Sequence, residues 1–199
     1  MSYIEEIKKV AKECVFRDFI PTTESFGSIQ IVDWRNKNGS KEGAIRFLFD
    51  NAEKYLHISG DYGSAILDLY SFSEVSLKTV GILTDIGYLI GKIKCSTDLY
   101  IYDEDIARKD IEERLLSEQF AGELSDEEIS ERKDFISGLM EDFTVDGIEL
   151  GHSEKQALSE YDRMYWKWIY DAGKKVARRV VYWSTALNMM YDLYYKKEK

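Results

Sequence analysis

The chain holds one proline, two cysteines and two histidines in 199 residues, and each scarcity excludes something. Proline this rare, beside 13 glycines, rules out collagen-like and linker-dominated chains. Cys14 and Cys95 are too few for a disulfide framework, and both are expected to be reduced, with Cys14 on the apolar face of a helix. No run approaches the roughly 18 apolar residues of a membrane span. The start, Met-Ser-Tyr-Ile-Glu-Glu-Ile-Lys-Lys, puts charges where a signal peptide needs an apolar stretch. A cytoplasmic protein is expected. The basic excess of a general nucleic-acid binder is also missing: 27 Lys+Arg face 37 Asp+Glu, a net charge of −10, so direct nucleic-acid binding is not expected.

Familiar chemistry is equally sparse. His57 falls in a strand-like stretch, where a satisfied, partly buried histidine is the ordinary reading, and neither His57 nor His152 lies in a metal-ligand spacing. Gly87-Tyr-Leu-Ile-Gly91-Lys92-Ile93 is one residue short of a phosphate loop and has Ile93 where a magnesium-binding hydroxyl is needed. Asp142-x-Thr144-x-Asp146-Gly147 starts like a calcium loop but has Ser153 in place of the bidentate glutamate. There is no nucleophile elbow. No cofactor, metal or catalytic residue is assigned.

What is there begins with periodicity. Ser2 and Glu5 stand at capping-box spacing, and Ile4, Ile7, Ala11 and Cys14 follow at helical intervals, predicting a helix over 2–15. From 26 to 70 the period is two: Ile29 and Ile31, then Ile45, Phe47 and Phe49, then Tyr55 and His57, then Ala65, Leu67 and Leu69. Asn36-Lys37-Asn38-Gly39 and Gly60-Asp61-Tyr62-Gly63 separate these runs as turns, so an antiparallel sheet of about four strands is predicted. Residues 73–94 read as helix broken by Gly81, Gly87 and Gly91. Further helices are predicted over 103–119, over 125–143 from the capping box Ser125/Glu128, and from a third box, Ser153/Gln156. A separate last helix of the chain carries a stripe of Val176, Val180, Trp183, Leu187, Met190 and Tyr194, the pattern of a packing seam. Sheet first and helices after make the fold class α+β. Two regions are expected, 1–97 and 98–199, packed as one compact unit.

The charge is not spread evenly. Residues 1–97 hold 13 acids and 12 bases, residues 98–149 hold 18 acids and 5 bases, and residues 150–199 hold 6 acids and 10 bases. At about 100° per residue, Glu127, Glu131, Asp134 and Glu141 fall in one narrow arc of the 125–143 helix, opposite Ile129, Ile136, Leu139, Met140 and Phe143. Like charges three and four apart repel by a few tenths of a kcal/mol per pair, a cost that interleaved lysines would avoid. The row reads either as a solvated face or as a docking surface for a basic partner. Asp103, Glu104, Asp110 and Glu113 of the preceding helix extend the candidate surface. Lys174, Lys175, Arg178 and Arg179 could answer the row internally or stay free for a second contact. Trp166, Trp168, Tyr170, Tyr182, Trp183, Tyr191, Tyr194 and Tyr195 exceed what one packing face needs, so some are expected at the surface or in a homodimer or partner seam.

Several stretches taken together carry a resemblance. They are Phe26-Gly-Ser-Ile-Gln-Ile-Val-Asp-Trp34, Tyr55-Leu-His-Ile-Ser-Gly-Asp-Tyr-Gly63, Gly87-Tyr-Leu-Ile-Gly-Lys92, Tyr102-Asp-Glu-Asp-Ile-Ala107 and Gly173-Lys-Lys-Val-Ala-Arg-Arg-Val-Val-Tyr-Trp183. Their order resembles small proteins encoded by phages and mobile elements of Gram-positive bacteria, some of which are anti-CRISPR inhibitors of type II effector nucleases. The resemblance rests on packing and turn residues and brings no site residues with it. It implies a bacterial host and a non-catalytic inhibitor whose acidic helical face occupies a basic nucleic-acid channel of a CRISPR effector nuclease. A dimeric interaction or regulatory protein of a mobile element is the alternative, and an enzyme with unrecognised chemistry the third reading.

Overall fold

The computed structural model describes residues 2–81, 85–117 and 122–196. The fold is α+β, with two compact units: Met1–Leu99 together with Val176–Lys199, and Tyr100–Lys175. The second unit is thus an insertion, and the last helix belongs with the sheet. The sheet unit has 16 acids and 17 bases, a balance of +1, whereas the inserted unit has 21 acids and 10 bases, a balance of −11.

In the sheet unit, helix α1 (Tyr3–Val10) starts at Ser2, whose hydroxyl accepts the Glu5 N–H. It continues as a π-helical turn, Ala11–Val15, in which Phe16 N–H bonds to Ala11 O, five residues back. That extra residue per turn carries the inward position from Cys14 to Val15. Cys14 is therefore exposed, not on the apolar face, and both cysteines are free.

Six strands follow where about four were expected. β1 (Phe19–Phe26), β2 (Ile29–Asn36), β3 (Ile45–Asp50), β4 (Tyr55–Gly60), β5 (Ala65–Asp68) and β6 (Ile93–Ser96) lie antiparallel in chain order. The four expected strands are β2 to β5; β1 and β6 are the two edges. The buried face runs Val32–Phe47–Ile58–Ala65 and Phe49–Leu56–Leu67 across the register. In β2 and β4 the inward residues are thus Val32, Trp34, Leu56 and Ile58, while Ile29, Ile31, Tyr55 and His57, the alternation read from the sequence, lie on the outer face and are half-buried. Both parities of β2 are apolar, so its period alone does not choose a face.

Between β5 and β6 the region read as one broken helix is two short ones, α2 (Leu77–Val80) and α3 (Ile86–Lys92), and its last two residues enter β6. Residues 82–84 of that stretch, and 118 and 119 of the helix expected over 103–119, lie outside the described residues. The final helix, α7 (Arg178–Tyr191), buries Val180, Trp183, Leu187 and Met190 in the same core as the inner sheet face, as its stripe requires.

The inserted unit opens with β7 (Tyr100–Tyr102), which pairs with β10 (Lys174–Val176). Between them run α4 (Glu104–Leu116), α5 (Asp126–Glu141), a hairpin of β8 (Phe143–Thr144) and β9 (Gly147–Ile148), and α6 (His152–Tyr161). The calcium-like stretch is this hairpin: Thr144 Oγ1 donates to Gly147 O and accepts the Asp146 N–H. The third capping box does not form, because the helix starts two residues earlier, from Gly151 as its N-cap, and leaves Ser153 inside it bonded to Glu154. Ala107, Ile111, Leu115, Ile136, Leu139, Leu158 and Ile169 make this unit's own core. No helix among the described residues is long and apolar enough to cross a membrane.

Candidate functional site

α5 is built from its amino end. Ser125 Oγ accepts the Glu128 N–H while Glu128 Oε2 accepts the Ser125 N–H at 2.8 Å, the reciprocal box that the sequence spacing predicts. Those bonds hold the Glu128 carboxyl below its ordinary value, through the Ser125 N–H first and its hydroxyl second. Ile136, Leu139 and Met140 are buried on one side of the helix, with Ile129 and Phe143 half-buried beside them. On the other side Glu127, Glu131, Asp134 and Glu141 are all exposed. Gly138 completes their arc, so the row is about 21 Å long at roughly 1.5 Å per residue.

None of these four carboxylates forms an ion pair among the described residues. Of the two bases between Glu131 and Asp134, Arg132 turns away: it donates to Leu115 O at 2.8 Å, closing the carboxyl end of α4, and stacks on Tyr161 at 4.8 Å. Lys174 and Lys175 bond Asp171 and Asp103 instead of the row. The row is a solvated line of negative charge at helical pitch, able to accept charge-assisted hydrogen bonds.

The four candidate carboxylates at α4, Asp103, Glu104, Asp110 and Glu113, divide. Glu104 and Glu113 are exposed. Asp103 caps α4 through the Ile106 N–H at 3.0 Å and pairs with Lys175 at 2.8 Å; the lysine, then the Ile106 N–H, hold its carboxyl below the usual range. Asp110 accepts the Gly173 N–H at 2.9 Å. These two aspartates are half-buried and turned to internal work, so of the eight candidates the α5 row, Glu104 and Glu113 are the exposed ones.

Two clefts flank Trp168, whose Nε1 donates to Asp162 Oδ2 at 2.7 Å. One, of about 250 Å³, is acidic, with Asp110, Glu113 and Asp171 beside Arg114 and Ala172. The other, of about 490 Å³, is lined by Arg114, Arg163 and Lys167 with Tyr161, Asp162, Met164 and Trp168. Sequence reasoning missed the second cleft: its bases come from α4 and from the turns after α6, and no spacing announces their convergence. Among the described residues no group of three or more His, Cys, Asp or Glu side chains is placed to hold a metal ion. The chain matches no protein-family model, no curated protein and no solved structure.

Proposed function

We propose that the chain is a non-catalytic binding protein whose acidic unit occupies a basic, nucleic-acid-binding groove of another protein, the anti-CRISPR type of inhibition that the sequence resemblance implies. One observation carries the reading: Glu127, Glu131, Asp134 and Glu141 stand exposed, aligned and unneutralised on a capped helix, in a unit whose balance is −11. Carboxylates on a rigid helix replace phosphates against lysine and arginine without the ordering cost of a flexible acidic tail. The field of the row also speeds encounter with a positive groove.

The experiment measures binding of the full chain to a purified type II effector nuclease, with and without guide RNA, and asks whether target DNA competes. Glu127→Lys/Glu131→Lys/Asp134→Lys is compared with the triple alanine variant, which separates lost attraction from new repulsion. The expected result is association slowed by about a hundredfold or more in the reversal variant, a smaller loss in the alanine variant, and weaker wild-type binding as salt rises. Unchanged affinity in both variants at low salt overturns the reading.

A homodimer is the second reading. It is favoured by Tyr194 and Tyr195, 40% and 39% exposed with ring centroids 6.2 Å apart at the end of the sheet unit.

A further inference from the structure

The two edges of the six-stranded sheet differ. β6 is four residues long and carries Lys94, which pairs with Asp68. β1 is eight residues long, has Glu24 as its one charged side chain, and is exposed from Thr22 to Phe26. An edge of that length with so little charge is a template for another strand. The register shows which of its backbone groups are open. Next to the paired Phe19 and Asn36, Lys37 N–H donates to Asp18 O at 2.9 Å. Asp18 and the even positions after it therefore turn their N–H and C=O toward β2, and the odd positions turn theirs away. Phe19 N–H is taken by Phe16 O, and Pro21 has no N–H, which is why this edge tolerates it. Pro21 C=O and both backbone groups of Thr23 and Ser25 are left facing outward, with no backbone partner among the described residues. Side chains alternate with the same period. Pro21 and Thr23 stand opposite the buried Trp34 and Val32, so Ile20, Thr22, Glu24 and Phe26 share the outer face. Ile20 is 45% and Phe26 61% exposed.

We propose that β1 pairs antiparallel with β1 of a second copy of this chain, Thr23 opposite Thr23, joining two sheets across a two-fold axis. The inference rests on the homodimer reading and names its interface. The strand is complementary to itself in this register. Thr23 exchanges N–H···O=C bonds with its copy, and each Ser25 N–H donates to the other chain's Pro21 C=O, where the missing proline N–H costs only a bond to Ser25 C=O. Ile20 meets Phe26 of the copy at both ends, so the exposed apolar side chains of the strand cover one another. Glu24 meets Thr22 of the copy. Beside that threonine stands Arg35, which donates to Thr22 Oγ1 at 3.0 Å and forms no ion pair among the described residues. A slip of two residues, the smallest that keeps outward groups matched, sets Glu24 against Glu24 in one direction and against Ile20 in the other. On the inner face Tyr194 OH, 2.8 Å from Thr23 Oγ1, comes to lie beside the axis with its copy. A second copy supplies all of these complements at once, as a two-fold interface requires.

The test follows the mass of the full chain by light scattering over a dilution series. A mass near twice 23.2 kDa is expected at micromolar concentration. Ser25→Pro removes an outward N–H and no bond to β2, and is expected to weaken the dimer by about tenfold or more. Register is read by disulfide cross-linking in a Cys14→Ser/Cys95→Ser background. Thr22→Cys mixed with Glu24→Cys is expected to give a covalent dimer, because partners at such non-hydrogen-bonded positions lie about 4.5 Å apart between Cα atoms. Either variant alone is expected to give none. The cross-link decides the matter if Ser25→Pro lowers the melting temperature of the chain itself. A one-chain mass at every concentration overturns this proposal together with the homodimer reading. A dimer that Ser25→Pro leaves at full affinity without loss of stability, or that cross-links in one variant alone or not at all in the mixture, overturns the β1 pairing and leaves the homodimer reading standing.

Discussion

Asp103 and Lys175, 72 residues apart, meet at 2.8 Å and close the acidic unit on itself. The same aspartate caps α4, and its own N–H donates to Gly173 O at 2.9 Å. Gly173 N–H in turn donates to Asp110. Gly173 has φ +73, and a Cβ there would stand 2.5 Å from Asp103 O and 2.8 Å from Ala107 Cβ. The start and end of the inserted segment are thus clasped by two aspartates and a glycine that no other residue can replace without displacement.

Asp103→Ala removes both the cap and the ion pair and is expected to lower the melting temperature by a few degrees, whereas Asp103→Asn keeps a capping oxygen and loses less. The lysine and the Ile106 N–H depress the folded pKa of Asp103 below 3.8. Its contribution is therefore complete above 3.8 and is lost as pH falls through the folded value. The deficit of Asp103→Asn should be present at neutral pH and shrink in acid; a deficit that does not change with pH contradicts this linkage.

The α5 row is expected to show opposite stability effects along its length. Glu131 and Asp134 repel each other and Glu131 repels Glu127, so Glu131→Lys or Asp134→Lys should leave stability unchanged or raise it by a few tenths of a kcal/mol. Glu127 lies in the first turn, where a carboxylate is favoured by about 0.3–1 kcal/mol. Glu127→Lys is expected to destabilise. Denaturant midpoints of the single variants check the order, and an equal gain from all three would show that the helix end exerts no effect.

The row, its cap and the four inner strands were legible in the sequence, because helical and strand periods repeat over several turns or residues there. The edges were not. β1 contains Pro21, Thr22, Thr23, Glu24 and Ser25, mostly exposed, so no alternation marks it; it forms because β2 offers it a partner. β6 is four residues following directly on α3, too short for its period to be seen. The insertion of 100–175 was hidden for another reason. Only the buried stripe of α7, packing with the sheet core, decides which unit the last helix joins, and a stripe does not name its partner.

Glycine substitutions provide a test of the sheet unit. Gly60 has φ +140 at the end of β4, and a Cβ there would run into Ala44 O. Gly60→Ala is expected to cost about 2 kcal/mol or more. Gly91 lies in α3 with open space around its Cα, so Gly91→Ala is expected to stabilise by about 0.5–1 kcal/mol. Chemical denaturation of both variants checks the contrast; a loss at Gly91 equal to that at Gly60 would mean that the backbone conformation does not set the sign.

The tyrosines at the carboxyl end decide between self-association and internal packing. Tyr191 is half-buried, so Tyr191→Ser, which removes the buried part of its ring, should destabilise the sheet unit itself. Tyr194 OH lies 2.8 Å from Thr23 Oγ1 and so ties the last turn to the edge strand β1. Tyr194→Phe is expected to lose no more than about 1 kcal/mol, the net contribution of an exposed hydrogen bond. Tyr195 is 39% exposed, and Tyr195→Ser leaves both anchors in place. If these rings form a seam, light scattering at micromolar concentration gives a mass near twice 23.2 kDa, and Tyr195→Ser returns it to the single-chain value with little change in melting temperature. A wild-type mass of one chain at every concentration assigns the exposed rings to something other than a second copy and removes the homodimer reading.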